Sequence, residues 1–408
     1  MNSLDLCMFW GALTIIGYTY LGYPLLMYLR SRRRPNIWRQ ERTLLSVSII
    51  VAVHNGAKVL KNKIDELTAL DYPKNLIEFI VVSDGSNDGT DHILQEQSVV
   101  KFIIKHERCG KAAALNAGMK SATGDILLFL DIRPQLTSTS LNLLVTNFAD
   151  SAIGCAGGQV LLREDGHDQV TKAVGGLYWR YEQWIRNCES SVDSATGVYG
   201  GFYAVRRILA TELPEDTILD DMLQPLNIVR QGYRSVIDVR AVVYDVWPKS
   251  VKNEFKRKVR TLAGNFQLIR LAPWLLTRQN RIRFHLISHK LLRLLVPALL
   301  ILMAISSAML SSHSKWYVAM VMAQLIFYSL AAFGALGRIP GVFQVAGACR
   351  AFCVLNCAAI VGFYRFLFTR GPLWKIWTPT EPYAQVLSKD TGDEIKRDLD
   401  PSPPAAIR

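Results

Sequence analysis

Three stretches of the sequence place a charged side chain where an apolar run ends or a helix is expected to begin. Asp84 follows one apolar run, Asp131 closes a second, and Lys111 follows a glycine. Carboxylates in such places accept hydrogen bonds from a base or a ribose, or hold Mg²⁺ or Mn²⁺. A lysine at a helix start faces a phosphate together with the helix amides. Taken singly, each is more often a turn residue or a solvated lysine, but their combination favours a nucleotide-diphosphate site.

A second acidic pair, Asp220-Asp221, precedes Met222-Leu223. By itself this pair is typical of the capped start of a helix. A carboxylate can also act as a general base, which takes a proton from an attacking hydroxyl group.

The elements that must position these residues alternate between strands and helices. Apolar runs predict strands, and the helical spacing of apolar residues predicts helices between them. This alternation predicts an α/β fold with right-handed crossovers and a mostly parallel sheet, in which ligands bind at the carboxyl ends of the strands. The predicted strands are Val47–Val53, Ile77–Val82, Val99–Ile104 and Ile126–Leu130, and the predicted helices are Ala57–Leu70 and Lys111–Ser121.

The first apolar run is long enough to cross a membrane. Leu6–Leu29 contains 24 uncharged residues, and about 20 residues span the hydrocarbon layer. The run is too long for a cleaved signal peptide and lacks a basic segment before it. Five arginines between positions 30 and 39 follow it, so the positive-inside rule predicts a cytoplasmic location for what comes next.

Three further apolar runs lie towards the C-terminus. Leu294–Ser314 and Trp316–Gly337 have spanning length, whereas Ala351–Tyr364 has only 14 uncharged residues. If all three cross the membrane, Arg365 and the basic residues after it fall outside, against the positive-inside rule. Either the last segment does not cross, or the rule fails at this point.

The net charge of +13 over 408 residues requires an anionic neighbour. Much of the surplus lies in Lys249–Arg293, where basic and aromatic residues alternate as in amphipathic helices on an anionic leaflet. Nucleic acid is a much weaker explanation because no recognised binding motif accompanies the charge. The seven cysteines show no CxxC pair, which argues against a zinc site and a disulfide scaffold.

Taken in order, these motifs resemble the membrane-bound family 2 glycosyltransferases related to cellulose, chitin and hyaluronan synthases, and most of all the bacterial exopolysaccharide type. The resemblance covers residues 45–300. It runs through VSIIVAVHNGAKVL, IEFIVVSDGSNDGT, CGKAAALNAG, GDILLFLD, GLYWRYEQWIRNCES, TGVYGGFYAVRR, ILDDMLQPLNIVRQGYR, EFKRKVRTLAGNF and ISHKLLRLLVP.

The resemblance implies a GT-A (Rossmann-like) domain between transmembrane helices, a UDP-linked sugar donor and a divalent metal, Mg²⁺ or Mn²⁺. Asp221 would be the general base, and Asp131 would bind the metal. The implied residues of the donor side are Asp84, Lys111, Asp131, Arg257 and Arg260. Those of the acceptor side are Gly200, Gly201 and Asp220.

The sequence departs from the family at two motifs. Asp131-Ile132-Arg133 has an arginine where the family has a second acid, so Arg133 either contacts phosphate or is structural. Residues 257–261, Arg-Lys-Val-Arg-Thr, lack the Gln and Trp of the family's QxxRW motif.

We therefore expect a multi-pass protein of the inner (plasma) membrane with a cytoplasmic catalytic domain. It would be an inverting glycosyltransferase acting on a polysaccharide or a lipid-linked saccharide, in contact with membrane lipids and with polysaccharide export partners. Transfer to polyprenyl phosphate and a catalytically degenerate scaffold subunit are the alternatives. The expected division is a transmembrane helix at 1–30, the GT-A domain at 31–248, interfacial helices at 249–290, two to three transmembrane segments at 291–370 and a tail at 371–408.

Overall fold

The computed structural model describes residues 3–163, 169–246, 251–333 and 343–376. The predicted boundary at 248 and most of the tail at 371–408 lie outside these ranges. Within them, the expected α/β domain follows a first long helix and precedes a second group of helices.

The domain is built on one eight-stranded mixed sheet, in the order β3-β2-β1-β4-β7-β6-β8-β5. Strands β1 to β4 are parallel, as the alternating pattern predicts, whereas β7 runs antiparallel to β4. The strands are β1 Val47–Val53, β2 Ile77–Asp84, β3 Lys101–Lys105, β4 Ile126–Asp131, β5 Gln135–Leu136, β6 Ile153–Arg163, β7 Phe202–Arg206 and β8 Arg234–Val246.

The register of the central strands brings two of the predicted acids to one edge of the sheet. Ala52 of β1 pairs with Asp131 of β4 on one side, and Val53 pairs with Ser83 of β2 on the other. Asp84 is the next residue of β2. Because parallel strands end at the same edge, both carboxylates flank the end of β1.

Helices cover both faces of the sheet. Those of the domain are α2 Ala57–Thr68, α3 Thr90–Gln95, α4 Lys111–Ser121, α5 Ser140–Thr146, α6 Gln169–Val192, α7 Asp220–Arg230 and α8 Val251–Leu271. Two apolar cores result, one on each face. Leu67 and Leu141 lie in the first, and Leu115 and Leu226 in the second.

The predicted boundaries hold to within two or three residues. Helix α2 ends two residues before the predicted Leu70, in the turn that leads to Pro73, and β3 begins at Lys101 rather than Val99. Val99 is largely exposed, so its β-branched side chain was a misleading signal.

Within the described residues, four helices are long and apolar enough to cross a membrane. They are α1 Ser3–Arg33, α9 Arg283–Leu310, α10 Lys315–Phe333 and α11 Phe343–Phe368. Phe9 of α1 packs against Leu310 and Tyr317, where α9 ends and α10 begins. One end of this helix group is therefore far from the α/β domain. The other end is next to it, where Tyr181 donates a hydrogen bond to the Tyr20 carbonyl.

The last helix, α11, continues unbroken through Arg350, as one of the two interpretations of the short run Ala351–Tyr364 requires. Its C-terminal half packs along α8, where a Cβ on Gly362 would lie 3.0 Å from the Ala263 nitrogen. The rings of Phe363 and Phe266 are 5.0 Å apart. The helix therefore ends beside the α/β domain, and Arg365 lies at that end.

This close contact predicts that Gly362→Val loosens the packing of α11 on α8. The Cβ alone would lie 3.0 Å from the Ala263 nitrogen and 3.1 Å from the Val259 oxygen of α8, and overpacking of this kind typically costs about 1–3 kcal/mol. We expect a lower unfolding temperature in detergent. The matched control is Gly11→Val in α1, where a Cβ would meet nothing within 4 Å. An equal effect of both substitutions would contradict the packing argument.

Candidate active site

Lys111 is the first residue of α4, and Asp84 holds the loop that precedes it. The Asp84 carboxylate accepts hydrogen bonds from the backbone amides of Cys109 (2.8 Å) and Gly110 (2.7 Å). Gly110 has φ +94°, a conformation that favours glycine. Asp84 thus connects the end of β2 to the start of α4, and this contact orients Lys111.

The ammonium group of Lys111 lies among acids from two other elements. It is 3.0 Å from Asp131 Oδ1 and 3.2 Å from Asp220 Oδ2, and it donates a hydrogen bond to the Gly200 carbonyl at 2.9 Å. Burial disfavours the charged amine, but the neighbouring carboxylates outweigh it and raise the pKa of Lys111 above its ordinary value. The lysine therefore stays cationic and links the predicted donor and acceptor sides.

Asp220 and Asp221 are the first two residues of α7, but the N-cap residue is Leu219 and no side chain caps the helix, so the interpretation of the pair as a helix cap is wrong. Asp220 is buried and accepts a hydrogen bond from the Tyr203 hydroxyl at 3.2 Å. Gly200 lies directly against Asp221, because a Cβ on this glycine would be 3.1 Å from Asp221 Oδ2. A larger residue at 200 would displace the carboxylate.

The surroundings of Asp221 disfavour its charged form. Burial, with the charges of Asp220 and Asp131, raises the pKa of Asp221 to about 6, against the opposing attraction of Lys111 and Arg186. A carboxylate with such a pKa is suited to accept a proton near neutral pH.

The two arginines of α8 that were predicted to bind the donor have different surroundings. Burial lowers the pKa of Arg260, while attraction to Asp220, Asp221 and Asp131 opposes this shift, so these acids lie close enough to act on its charge. Arg257, one turn earlier, forms a two-pronged ion pair with Glu254 on its own helix at 2.8 and 3.0 Å. Its donor-binding role therefore remains a prediction.

The sequence left two roles open for Arg133, a contact with phosphate and a structural role. Its contacts in the fold are structural. Its guanidinium group binds both oxygens of Asp245 at 2.6 Å, and Asp245 also accepts a hydrogen bond from Tyr199. This pair fixes the end of β8 against the end of β4. Arg133 is therefore committed to a protein carboxylate.

Sequence reasoning missed three residues near the site. Arg186 of α6 donates to the Val198 carbonyl at 3.0 Å, and the Val198 amide donates to the Asp221 carbonyl. Tyr203, described above, binds Asp220. Trp374 packs on Gly110, whose Cβ would lie 2.8 Å from the indole ring, and Arg108 lies 5.2 Å from the ring centroid. Only Arg186 and Tyr203 gave a signal, since both lie within the family-like stretches.

Asp131 is the residue best placed to hold a divalent metal ion. Its side chain is 42% exposed towards the cleft. The described part of the chain contains no group of three or more His, Cys, Asp or Glu side chains that would enclose a metal by themselves. Mg²⁺ commonly binds one or two carboxylates and completes its coordination with substrate phosphates. A single, partly exposed carboxylate fits that pattern.

Comparison with known proteins identifies the domain. Residues 48–211 match the model of glycosyl transferase family 2. The chain is 23% identical over 299 residues to a probable glycosyltransferase, YdaM, of Bacillus subtilis, and the match covers 68% of this chain and 71% of the relative. It is 22% identical over 262 residues to the poly-beta-1,6-N-acetyl-D-glucosamine synthase of Staphylococcus aureus, covering 62% of each. The chain therefore aligns with less than two thirds of the synthase.

A solved structure has the same fold. It is a mannosyltransferase, PcManGT, from Pyrobaculum calidifontis in complex with GDP-Man and Mn²⁺, with a TM-score of 0.65 and 22% identity. The similarity covers 88% of this chain and 99% of that one. The prediction of a GT-A α/β fold is confirmed, and so is the resemblance to family 2 glycosyltransferases.

The raised pKa of Asp221 leads to opposite predictions for activity and stability. Asp221→Asn removes the proton acceptor, so we expect glycosyl transfer to fall about 10²–10⁴-fold. Because the fold favours the neutral form, ionised Asp221 lowers stability above its pKa, and the amide should raise the unfolding temperature at pH 7.5.

Two measurements check this prediction. Wild-type activity should decline as the pH falls through about 6, because the base becomes protonated. Thermal unfolding should then compare Asp221→Asn with Asp65→Asn, an exposed acid of α2. A variant that keeps full activity, or one less stable than the control, would contradict the assigned role.

Proposed function

Because residues 48–211 form a family 2 glycosyltransferase domain, we propose that this protein is a membrane-bound inverting enzyme that uses a UDP-linked sugar. The acceptor is a growing polysaccharide or a lipid-linked saccharide, as in exopolysaccharide synthesis. The observation that carries the proposal is the meeting of Asp131, Asp220 and Lys111 in one cleft beside Asp221.

The arrangement suits transfer with inversion. The acceptor hydroxyl oxygen attacks the anomeric carbon, and a new carbon–oxygen bond forms as the bond to the diphosphate oxygen breaks. Asp221 takes the hydroxyl proton, and the electron pair of the broken bond leaves on the nucleoside diphosphate. Lys111 and Arg260 are the cations that stabilise the charge developing on that leaving group.

Asp131 is the residue that would hold Mg²⁺ or Mn²⁺ in this enzyme. When bound, the metal supplies Lewis-acid stabilisation of the diphosphate. Asp84 supports donor binding indirectly, since it holds the amides that orient Lys111. Its predicted contact with the uridine would be an additional role.

The scaffold alternative is less well supported by the site. A subunit without catalysis has no need to keep three carboxylates and a lysine in one cleft, an arrangement that carries electrostatic cost. Transfer to polyprenyl phosphate would use the same donor site and differ only in the acceptor.

The helix packing supports a topology of three crossings. The arginines at the end of α1 favour a cytoplasmic domain, and α9 and α10 then cross outward and inward. Helix α11 ends against α8, so we propose that it does not add a fourth crossing. The domain and the segment that follows α11 then lie together at the inner face of the plasma membrane.

Donor use is tested by nucleotide release. Membranes containing the protein should release UDP from at least one of UDP-glucose, UDP-N-acetylglucosamine, UDP-glucuronate and UDP-galactose, and only with Mg²⁺ or Mn²⁺. We expect Asp131→Ala to reduce release from every donor by about 10²-fold or more, with Asp65→Ala as the control. Retained turnover in Asp131→Ala refutes the metal role, and release from GDP-mannose alone refutes the UDP assignment.

Topology is tested by reporter fusions. Alkaline phosphatase fused after Ser312, in the link between α9 and α10, should be active because this site is predicted to be outside. Green fluorescent protein fused after Arg370 should fluoresce because that site is predicted to be cytoplasmic. Phosphatase activity at Arg370 would show that α11 crosses the membrane.

A further inference from the structure

A group of partly buried charges lies where the α/β domain meets the apolar helices. We call it the junction cluster. Its cationic members come from α6, α8 and α9 and are Arg186, Arg257, Lys258, Lys290 and Arg293. Its carboxylates are Glu182, Glu189 and Glu254.

One carboxylate in the cluster serves several cations. Glu182 accepts hydrogen bonds from Arg186 (3.2 Å) and Arg293 (2.7 Å), and it also binds Lys290. His289 lies between Glu182 at 3.1 Å and Glu189 at 2.7 Å. Burial would raise the pKa of Glu182, but attraction to His289, Lys290 and Arg293 outweighs it and holds this pKa well below its usual value.

Positive charge is in excess in this part of the fold. Within the described residues, five cationic side chains of the cluster face three carboxylates. Lys258 has a distant partner, Glu254 at 3.6 Å, which is also bound by Arg257. Burial accordingly lowers the pKa of Lys258. Each cation has a carboxylate neighbour, but the carboxylates are shared, so positive charge is left that an anion from outside the protein would neutralise.

Arg293 shows where such an anion would bind. Its guanidinium carbon lies 5.8 Å from the Tyr20 ring centroid and 5.6 Å from that of Tyr181. Its side chain is only 10% exposed. Nη1 pairs with Glu182, but Nε and Nη2 have no hydrogen-bond partner among the described residues. These two nitrogens form one edge of the guanidinium fork, the geometry that binds carboxylate or phosphate with two parallel hydrogen bonds.

The position of Arg293 favours a lipid over a soluble anion. It lies on α9 directly before the uncharged run that starts at Leu294. Tyr20 comes from α1, and its ring is 5.4 Å from Phe352 of α11. Arginine and tyrosine at such a boundary lie at the depth of lipid headgroups.

We propose that the junction cluster binds the phosphate group of a membrane lipid, with the Nε–Nη2 edge of Arg293 as its main contact and Lys258 as the second cation. Arg186 joins this site to the base, because it binds both Glu182 and the Val198 carbonyl beside Asp221. The phosphate would therefore hold a lipid-linked acceptor next to Asp221, and this second statement rests on the proposed function.

The test is a binding titration with no sugar donor present. The full-length protein, purified in a neutral detergent, is titrated with farnesyl phosphate, with farnesol and with inorganic phosphate, and binding is followed by thermophoresis. We expect farnesyl phosphate to bind at least about tenfold more tightly than either of the others, since each lacks one half of the recognised group. Equal affinity for farnesol would show an apolar site, and equal affinity for inorganic phosphate a free-anion site. Either result overturns the proposal.

Variants connect the binding to the named side chains. Arg293→Lys keeps the charge facing Glu182 but loses the two-pronged edge, so we expect about a tenfold or greater loss of affinity for farnesyl phosphate. The matched control is Arg278→Lys, an exposed residue between α8 and α9. If Arg293→Lys does not fold, Lys258→Gln provides the same test with less risk to the fold. Unchanged affinity in a folded variant overturns the assignment.

The outcome is independent of the donor assay. If the protein binds farnesyl phosphate through Arg293 but releases no UDP from any donor, the lipid site is supported and the proposed function is refuted. If the protein releases UDP but binds farnesyl phosphate and farnesol equally well, the proposed function is supported and the lipid site is refuted.

Discussion

The ammonium group of Lys111 between Asp131 and Asp220 is the contact on which the rest of the cleft depends. Carboxylates brought together from a strand end and the start of a helix repel one another, and without a cation some of them would take up protons. Lys111 offsets this repulsion, and Asp84 keeps Lys111 in place through two backbone amides. The predicted donor side and the predicted acceptor side are therefore coupled through one side chain, so neither can be rearranged without the other.

Much of the domain could be predicted from the sequence because its signals are local. The apolar run Val47–Val53 forms a strand with the predicted bounds. The helix Lys111–Ser121 also has its predicted bounds. Asp84 and Asp131 were located at strand ends by the same reasoning. Contacts between distant segments could not be predicted from such local signals. Arg133 binds Asp245, 112 positions along the chain, and no pattern in either segment indicates the other.

The helix packing at the membrane gives a second example of that limit. Counting uncharged residues could not decide whether the last segment crosses, since Arg350 interrupts the run and the basic residues after it conflict with a third crossing. The proposed answer rests on the contact of Gly362 with α8, which depends on three-dimensional packing. Arg186 and Arg293 were likewise indistinguishable from other basic residues until Glu182 brought them together.

The packing of Trp374 on Gly110 has a mechanical consequence. This tryptophan follows α11 by six residues, and Gly110 directly precedes α4. A displacement of the segment after α11 would therefore reach the loop that carries Lys111. One aromatic side chain thus connects the last apolar helix to the start of the helix that bears the central lysine.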